Sequence, residues 1–189
     1  MSRPARIIVA VTGASGFDYS VKILGMLRLE AVETHLVVSR AAVTAMSHET
    51  DMTLGAMKEL ADHWHDNRDI AAPIASGSFR TAGMIIAPCS AKSLAEIAMG
   101  TGGTLIARAA DVVLKERRRL VVLFRETPLH LGHCHNMLRL TEMGGIVMPP
   151  VPAFYPRPTT IDEMVTHTAG RVLDLFDLDI PLDGRWKGG

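Results

Sequence analysis

The stretch Ile7-Ile8-Val9-Ala10-Val11, running straight into Thr12-Gly13-Ala14-Ser15-Gly16, decides the fold. Its apolar half is far shorter than a membrane span of about 20 residues. It is also too unbroken for a strand with one wet face, so it describes a strand covered on both sides. The glycine-containing turn and the helical pattern after it complete a strand–turn–helix unit, whose free backbone N–H groups gather at a helix start and favour an anion. The turn has neither the third glycine of a dinucleotide-binding loop nor the lysine and hydroxyl of a P-loop. A phosphate contact and an ordinary tight turn both satisfy it.

Similar runs recur at Thr34 to Val38, Met84 to Ala87, Leu120 to Phe124 and Ile146 to Met148, separated by stretches of helical character. Buried strands alternating with helices predict an α/β fold, a Rossmann-like three-layer sandwich with a mainly parallel sheet, because parallel strands need crossovers that cover both faces. At 189 residues the chain is read as a single domain spanning 1–189. Thr160-Ile161-Asp162-Glu163 forms a capping box that opens a helix to about Phe176. Thr127-Pro128 is read as another helix start, ending near Gly144-Gly145. Five prolines around Phe154 and Tyr155, between Pro149 and Pro158, predict a stiff extended loop.

Twenty basic and twenty acidic residues cancel, so no global field favours nucleic acid or anionic lipid, and any anion site must be local. The start, Met1 to Arg6, enters the first strand without a signal-type segment, so a cytoplasmic location is expected. Cys89 and Cys134 lack metal or redox spacing and are expected to stay reduced.

Ser39 and Pro88-Cys89-Ser90-Ala91-Lys92-Ser93 also place hydroxyls where a strand ends and a helix begins. In a doubly wound sheet these ends line one crevice, which favours a flat phosphorylated ligand; taken singly, each is equally a helix cap. Ser76-Gly77-Ser78-Phe79 is a loop where backbone can approach a ring, or a plain turn. Arg125-Glu126 follows a strand directly, which sets a cation and a carboxylate at that same edge; an ion pair is the plainer alternative. Glu49 taken alone reads as a surface residue. The run Lys115 to Arg119 reads mostly as a solvated helix end, whereas Arg171 falls at the margin of the stripe Ile161, Met164, Val165, Thr168, Val172, Leu175. His130, His133, Cys134 and His135 do not aim at one point from one helix, and Asp174, Asp177 and Asp179 lack the paired pattern of magnesium-diphosphate sites, so no metal is expected.

Thr12 to Gly16, Ser76 to Phe79, Pro88 to Ser90, Arg108-Ala109-Ala110-Asp111-Val112, Lys115 to Arg118, Arg125-Glu126-Thr127-Pro128-Leu129 and Pro152-Ala153-Phe154-Tyr155 together closely resemble the UbiX-like flavin prenyltransferases, from Ile7 to about Trp186. The resemblance implies that reduced FMN attacks dimethylallyl monophosphate through N5, releases phosphate and closes a fourth ring at C6. Prenylated FMN then passes to a UbiD-type decarboxylase. It implies FMN contacts at Gly13, Ala14, Ser15, Ser39, Ser90, Ala91, Lys92, Ser93 and Arg125, and an allylic phosphate cradle of Lys115, Tyr155 and Arg171 with Arg108 and Arg125. Glu49 and Glu126, with Ser15, match the acid–base groups, and Trp186 an aromatic that steadies an allylic cation or anchors the tail. A metal-free site between subunits of a homo-oligomer, commonly a dodecamer, is implied too. Phe17-Asp18 and Thr101-Gly102-Gly103-Thr104 depart from the family pattern. The rival enzyme is a phosphopantothenoylcysteine-type decarboxylase, whose Pro-Ala-Ser-Ala-Asn loop is replaced here by Pro88-Cys89-Ser90-Ala91-Lys92. The rival outside enzymes is a flavin carrier, which has no use for the phosphate cluster.

Overall fold

The computed structural model describes residues 5–178 and 180–182. Six strands, β1 (Arg6–Val11), β2 (Glu33–Val38), β3 (His63–Asp66), β4 (Gly83–Cys89), β5 (Arg119–Phe124) and β6 (Ile146–Val147), form one sheet in the order β3-β2-β1-β4-β5-β6. Every pairing is parallel. The helices are α1 (Phe17–Leu29), α2 (Arg40–Glu49), α3 (Leu54–Lys58), α4 (Ala91–Met99), α5 (Leu105–Lys115), α6 (Leu131–Glu142) and α7 (Ile161–Asp174).

Strand alternation divides the core in two. Ile7, Val9 and Val11 face the layer of α1, α2, α3 and α7, while Ile8 and Ala10 face α4, α5 and α6. β4 is buried from end to end. Each fully buried isoleucine or leucine in these strands contributes roughly 2 kcal/mol of transfer free energy, which is why the apolar runs announce the central strands so clearly.

The structure adds one strand and corrects two expectations. The edge strand β3, His-Trp-His-Asp, has no apolar run to announce it; its ladder with β2 and polar contacts on one face hold it. The sixth helix begins at Leu131, not at Thr127-Pro128, because His130 supplies the cap, its Nδ1 accepting the Gly132 N–H at 3.0 Å. The run Lys115 to Arg119 is only partly a solvated helix end. Arg118 donates to the carbonyls of Gly77 and Phe79 at 2.6 and 2.8 Å, and Arg119 donates to the Leu175 carbonyl and to Asp177. The capping box of α7 forms as expected, with Thr160 Oγ1 accepting from the Glu163 N–H at 3.1 Å. That helix ends two residues before Phe176, at Asp174.

Cys89 and Cys134 are both free thiols, and burial pushes Cys89 up to about 12, so it stays protonated and unreactive. Among the described residues, no helix is long and apolar enough to cross a membrane.

His35 on β2 is buried among His63, His65, Glu33 and Phe79. Burial, reinforced by the two neighbouring imidazoles, outweighs its bond to Glu33 and lowers its pKa to about 4. The unfolded chain takes up this proton below about pH 6.5 and the folded chain only below about 4, so the fold loses stability as pH falls through that window. Urea melts at about pH 7 and pH 4.5 are expected to differ less in His35→Gln than in the wild type, by on the order of 2 kcal/mol. An equal pH loss in both proteins would refute the assignment.

Candidate active site

The strand order reverses between β1 and β4, and there the sheet opens. Thr12, buried at the end of β1, donates through Oγ1 to the Pro88 carbonyl at 2.9 Å and accepts the Ser90 N–H at 2.8 Å. These bonds tie the turn after β1 to the turn after β4 across the switch point. Two clefts lie on either side of the Gly13–Ser15 turn.

The first cleft, about 460 Å³, is lined by Gly13, Ser39, Ser90, Lys92, Ser93 and Thr104, with Asn67 and Arg40. Three helices begin on it. Ser39 caps α2 by accepting the Ala42 N–H, Ser90 caps α4 by accepting the Ser93 N–H, and Thr104 caps α5 by accepting the Ala107 N–H. Their aligned peptide dipoles make the cleft attractive to an anion although the chain has no net charge. Lys92 adds a cation, held by Glu96 at 3.0 Å. Gly13 is required by a close approach: a Cβ there would lie 2.5 Å from the Ala41 Cβ at the start of α2.

The second cleft, about 600 Å³, is lined by Ser15, Glu49, Arg125, Glu126, Tyr19 and Asp18, and closed on one side by Pro149, Pro150, Val151 and Pro152. Gly16 takes the left-handed conformation, φ 108°, so its N–H and that of Phe17 are free to turn to Glu49. Glu49 Oε2 accepts both, at 2.9 and 3.2 Å, and so caps α1 from the end of α2. Desolvation favours the neutral carboxyl, but the two N–H groups, the Ser15 hydroxyl and the Arg125 charge outweigh it and hold Glu49 below the usual range. It is therefore anionic at neutral pH. Glu126 Oε1 accepts the Thr127 N–H at 3.0 Å, and the Arg125 N–H donates to the Cys89 carbonyl. Burial raises the Tyr19 phenol despite the nearby Arg125 charge and a bond with Thr168, so it is a neutral donor facing the cleft.

Of the residues named for the allylic phosphate, Arg125 lines the second cleft with these carboxylates, whereas Arg108, Lys115, Tyr155 and Arg171 are not part of its lining. Arg108, Asp111 and Lys115 form a polar stripe along α5, which is otherwise largely buried; Arg108 pairs with Asp111 at 2.7 Å and Lys115 with Glu116 at 2.6 Å. Lys115 lies at the end of α5 that leads into β5, beside Gly77, so Ser76 to Phe79 and Lys115 sit at the sheet edge opposite the clefts. Tyr155 Oη is 3.0 Å from His167 Nε2, and Arg171 pairs with Asp174 near the end of α7. Trp186 lies outside the described residues. Ala14 belongs to the turn itself, its N–H donating to the Thr12 carbonyl, and Ala91 opens α4.

The sequence reading missed Thr104, Asn67, Arg40 and Tyr19. Thr104 stands in the departing segment 101–104 yet caps α5, and the Thr-Leu-Ile-Ala step before a helical run was its available signal. Asn67 accepts the Ile106 N–H at 3.0 Å from the end of β3, and it was hidden because that strand was hidden. In the other departure, Phe17 packs into the core and Asp18 faces the second cleft.

A parallel sheet whose switch point opens on a helix-ringed anion cleft beside a carboxylate cleft defines an α/β protein that binds a phosphorylated ring compound. Residues 1–172 match the Flavoprotein family. Over 183 residues the chain is 53% identical to the flavin prenyltransferase UbiX of Neisseria meningitidis, covering 97% of each protein. The crystal structure of AnUbiX in complex with FMN and dimethylallyl pyrophosphate is similar at TM-score 0.97 and 50% identity, covering 99% of this chain and 100% of that one. A dodecameric FMN-dependent UbiX-like decarboxylase from Escherichia coli O157:H7 is similar at TM-score 0.94 and 49% identity, covering 97% of this chain and 100% of that one. The chain belongs to the flavin prenyltransferase (UbiX) family of flavoproteins.

Gly13→Ala is expected to destabilise the fold by about 1–3 kcal/mol through overpacking against Ala41 and to weaken FMN binding in a fluorescence-quenching titration. Gly25→Ala, where an added methyl meets nothing within 4 Å, is the matched control and should hold or gain stability. Equal behaviour of the two variants would show that the close approach does not constrain the turn.

Proposed function

We propose that the protein joins the dimethylallyl group of dimethylallyl monophosphate to N5 and C6 of reduced FMN, without a metal. The observation that carries this reading is the adjacency of the two clefts around one turn. One suits a flavin phosphate through three helix starts, and the other gathers Ser15, Glu49, Glu126 and Arg125 where a ring could lie. Full-length similarity to flavin prenyltransferases supports the same chemistry.

FMN is here a substrate. N5 forms a bond to the first allyl carbon as that carbon's bond to phosphate oxygen breaks; the phosphate leaves with the bonding pair and N5 gives up a proton. Protonation of the prenyl double bond next makes a tertiary cation, C6 attacks it, and the C6 proton departs. Glu49, anionic and oriented by the Gly16 and Phe17 N–H groups, is suited with Ser15 to the N5 and ring-closure protons. Glu126 is suited to the departing phosphate. Lys115, Arg108, Tyr155 and Arg171, with Arg125 at the cleft, are the donors for that phosphate; several fixed donors stabilise a poor leaving group as it gains charge. Trp186 is assigned to the allylic cation.

Because α5 carries Arg108 and Lys115 on its outward stripe, these cations serve a neighbouring subunit's carboxylates in this reading, within a homo-oligomer such as a dodecamer. A cytoplasmic location and delivery of the product to a UbiD-type decarboxylase complete it, with residues 1–189 acting as a single flavin-binding domain.

Anaerobic incubation with reduced FMN and dimethylallyl monophosphate is expected to yield a flavin heavier by one prenyl unit by mass spectrometry. Glu49→Gln should slow this by at least ~10²-fold while leaving FMN bound. The diphosphate ester, run in parallel, tests whether the cradle prefers one phosphate. An unchanged flavin mass with the wild-type protein refutes the transferase reading and leaves a carrier. If the site is shared, mixed oligomers of Glu49→Gln and Lys115→Ala chains should regain part of the rate that each lacks alone; no recovery would place both residues in one subunit's site.

A further inference from the structure

On β2 and the edge strand β3, four polar side chains form a staggered array. Glu33 and His35 lie two apart on β2, and His63 and His65 two apart on β3, so strand periodicity puts each pair on one face. The ladder sets His35 opposite His63. Glu33 Oε1 is 3.1 Å from His35 Nε2 and 3.4 Å from His63 Nε2. The donor atoms of these three residues lie within 4.8 Å of one another. A tetrahedral zinc ion bound by nitrogen and oxygen at roughly 2.0–2.1 Å holds neighbouring donors about 3.3 Å apart. Two of the three edges therefore already have the spacing that an ion imposes.

The surroundings are those of a ligand set. His35 Nε2 donates to Glu33 in the metal-free chain; an ion that displaces this proton shifts it to Nδ1, which lies 3.0 Å from His65 Nε2 and can donate there to orient the ring. Glu33 Oε2 is occupied by Arg6 Nε at 2.8 Å, leaving Oε1 to bind alone. Arg6 also lies over the Phe79 ring, 4.7 Å from its centroid, which spreads the charge that would oppose a cation. His35 is buried while the His63 side chain is half exposed, giving an entry side and room for a water as fourth ligand. Two imidazoles and one carboxylate suit zinc, cobalt or nickel, whereas calcium and magnesium favour all-oxygen sites.

We propose that Glu33, His35 and His63 bind one divalent transition-metal ion that clamps the edge strand β3 to β2. The four-residue strand β3 pairs with β2 alone in the sheet order, and Asn67 directly after it receives the Leu105 and Ile106 N–H groups at the start of α5. Steadying β3 thus steadies one wall of the first cleft. The ion takes no part in the transfer chemistry, and the proposal stands apart from the functional reading above.

The test uses the full-length, tag-free chain, stripped with a chelator and titrated with Zn²⁺ and Co²⁺. One ion per chain is expected, with a rise in melting temperature that is lost in His63→Ala. Because His63 is half exposed, that variant should fold, and circular dichroism checks it; His63→Gln serves as the second variant. His65→Ala should weaken binding about tenfold through loss of ring orientation. Bound Co²⁺ should show no thiolate charge-transfer band, since no cysteine belongs to the set. Absence of saturable binding, undiminished binding in both His63 variants, a thiolate band, or loss of binding in His130→Ala/His133→Ala instead would each overturn the proposal.

Discussion

The buried Thr12 hydroxyl is the constraint on which the site depends. It donates to the loop after β4 and accepts from it, so the two turns that flank the switch point are fixed to each other rather than each to its own strand. A buried hydroxyl satisfied on both sides adds stability, and left unsatisfied it would carry a desolvation penalty of about 1–3 kcal/mol. Moving either turn breaks the pair. The same link sets how far Gly13 lies from Ser90 at the start of α4, on the wall of the anion cleft.

Glu49 extends this frame. Its carboxylate performs a cap that the left-handed Gly16 cannot, since glycine has no side chain to offer the N–H groups of α1. One residue thereby joins the end of α2 to the start of α1 and becomes fixed in position. Two backbone donors hold the charge that proton transfer would use; Glu49 is exposed, but a freely rotating carboxylate would lack both its orientation and its lowered pKa. Structural and chemical roles coincide in it, which is why its surroundings in sequence, Ser47-His48-Glu49-Thr50, read as plain surface.

What the sequence made legible follows the same division. The central strands were readable because burial on two faces leaves only apolar residues to choose from, and Ser39 and Ser90 were readable as caps following such strands. Strand β3 was not, because an edge strand held by histidines, a carboxylate and one ladder has no apolar signature, and Asn67 was lost with it. The start of α6 was misplaced because a histidine cap competes poorly, on sequence grounds, with a Thr-Pro step. Glu49 and Lys115 were reached through resemblance alone, and Arg171 stood out only as a cation at the margin of an apolar stripe. The N–H groups that hold Glu49 come from the start of α1, more than 30 residues away, and no local pattern encodes that.

The outward cations follow from the neutral composition. Arg108, Lys115 and Arg171 are each paired with a carboxylate one to three residues away on the same chain. Exposed pairs of this kind are screened by water and contribute little to the fold, which leaves the three long side chains available for the phosphate role proposed for them. An arriving phosphate, with more charge than one carboxylate and with several donors converging on it, exchanges a weak local partner for a stronger shared one. In the proposed reading such a cradle gathers where subunit surfaces meet and water is excluded, so phosphate capture would belong to the assembly, while each isolated surface keeps its cations paired.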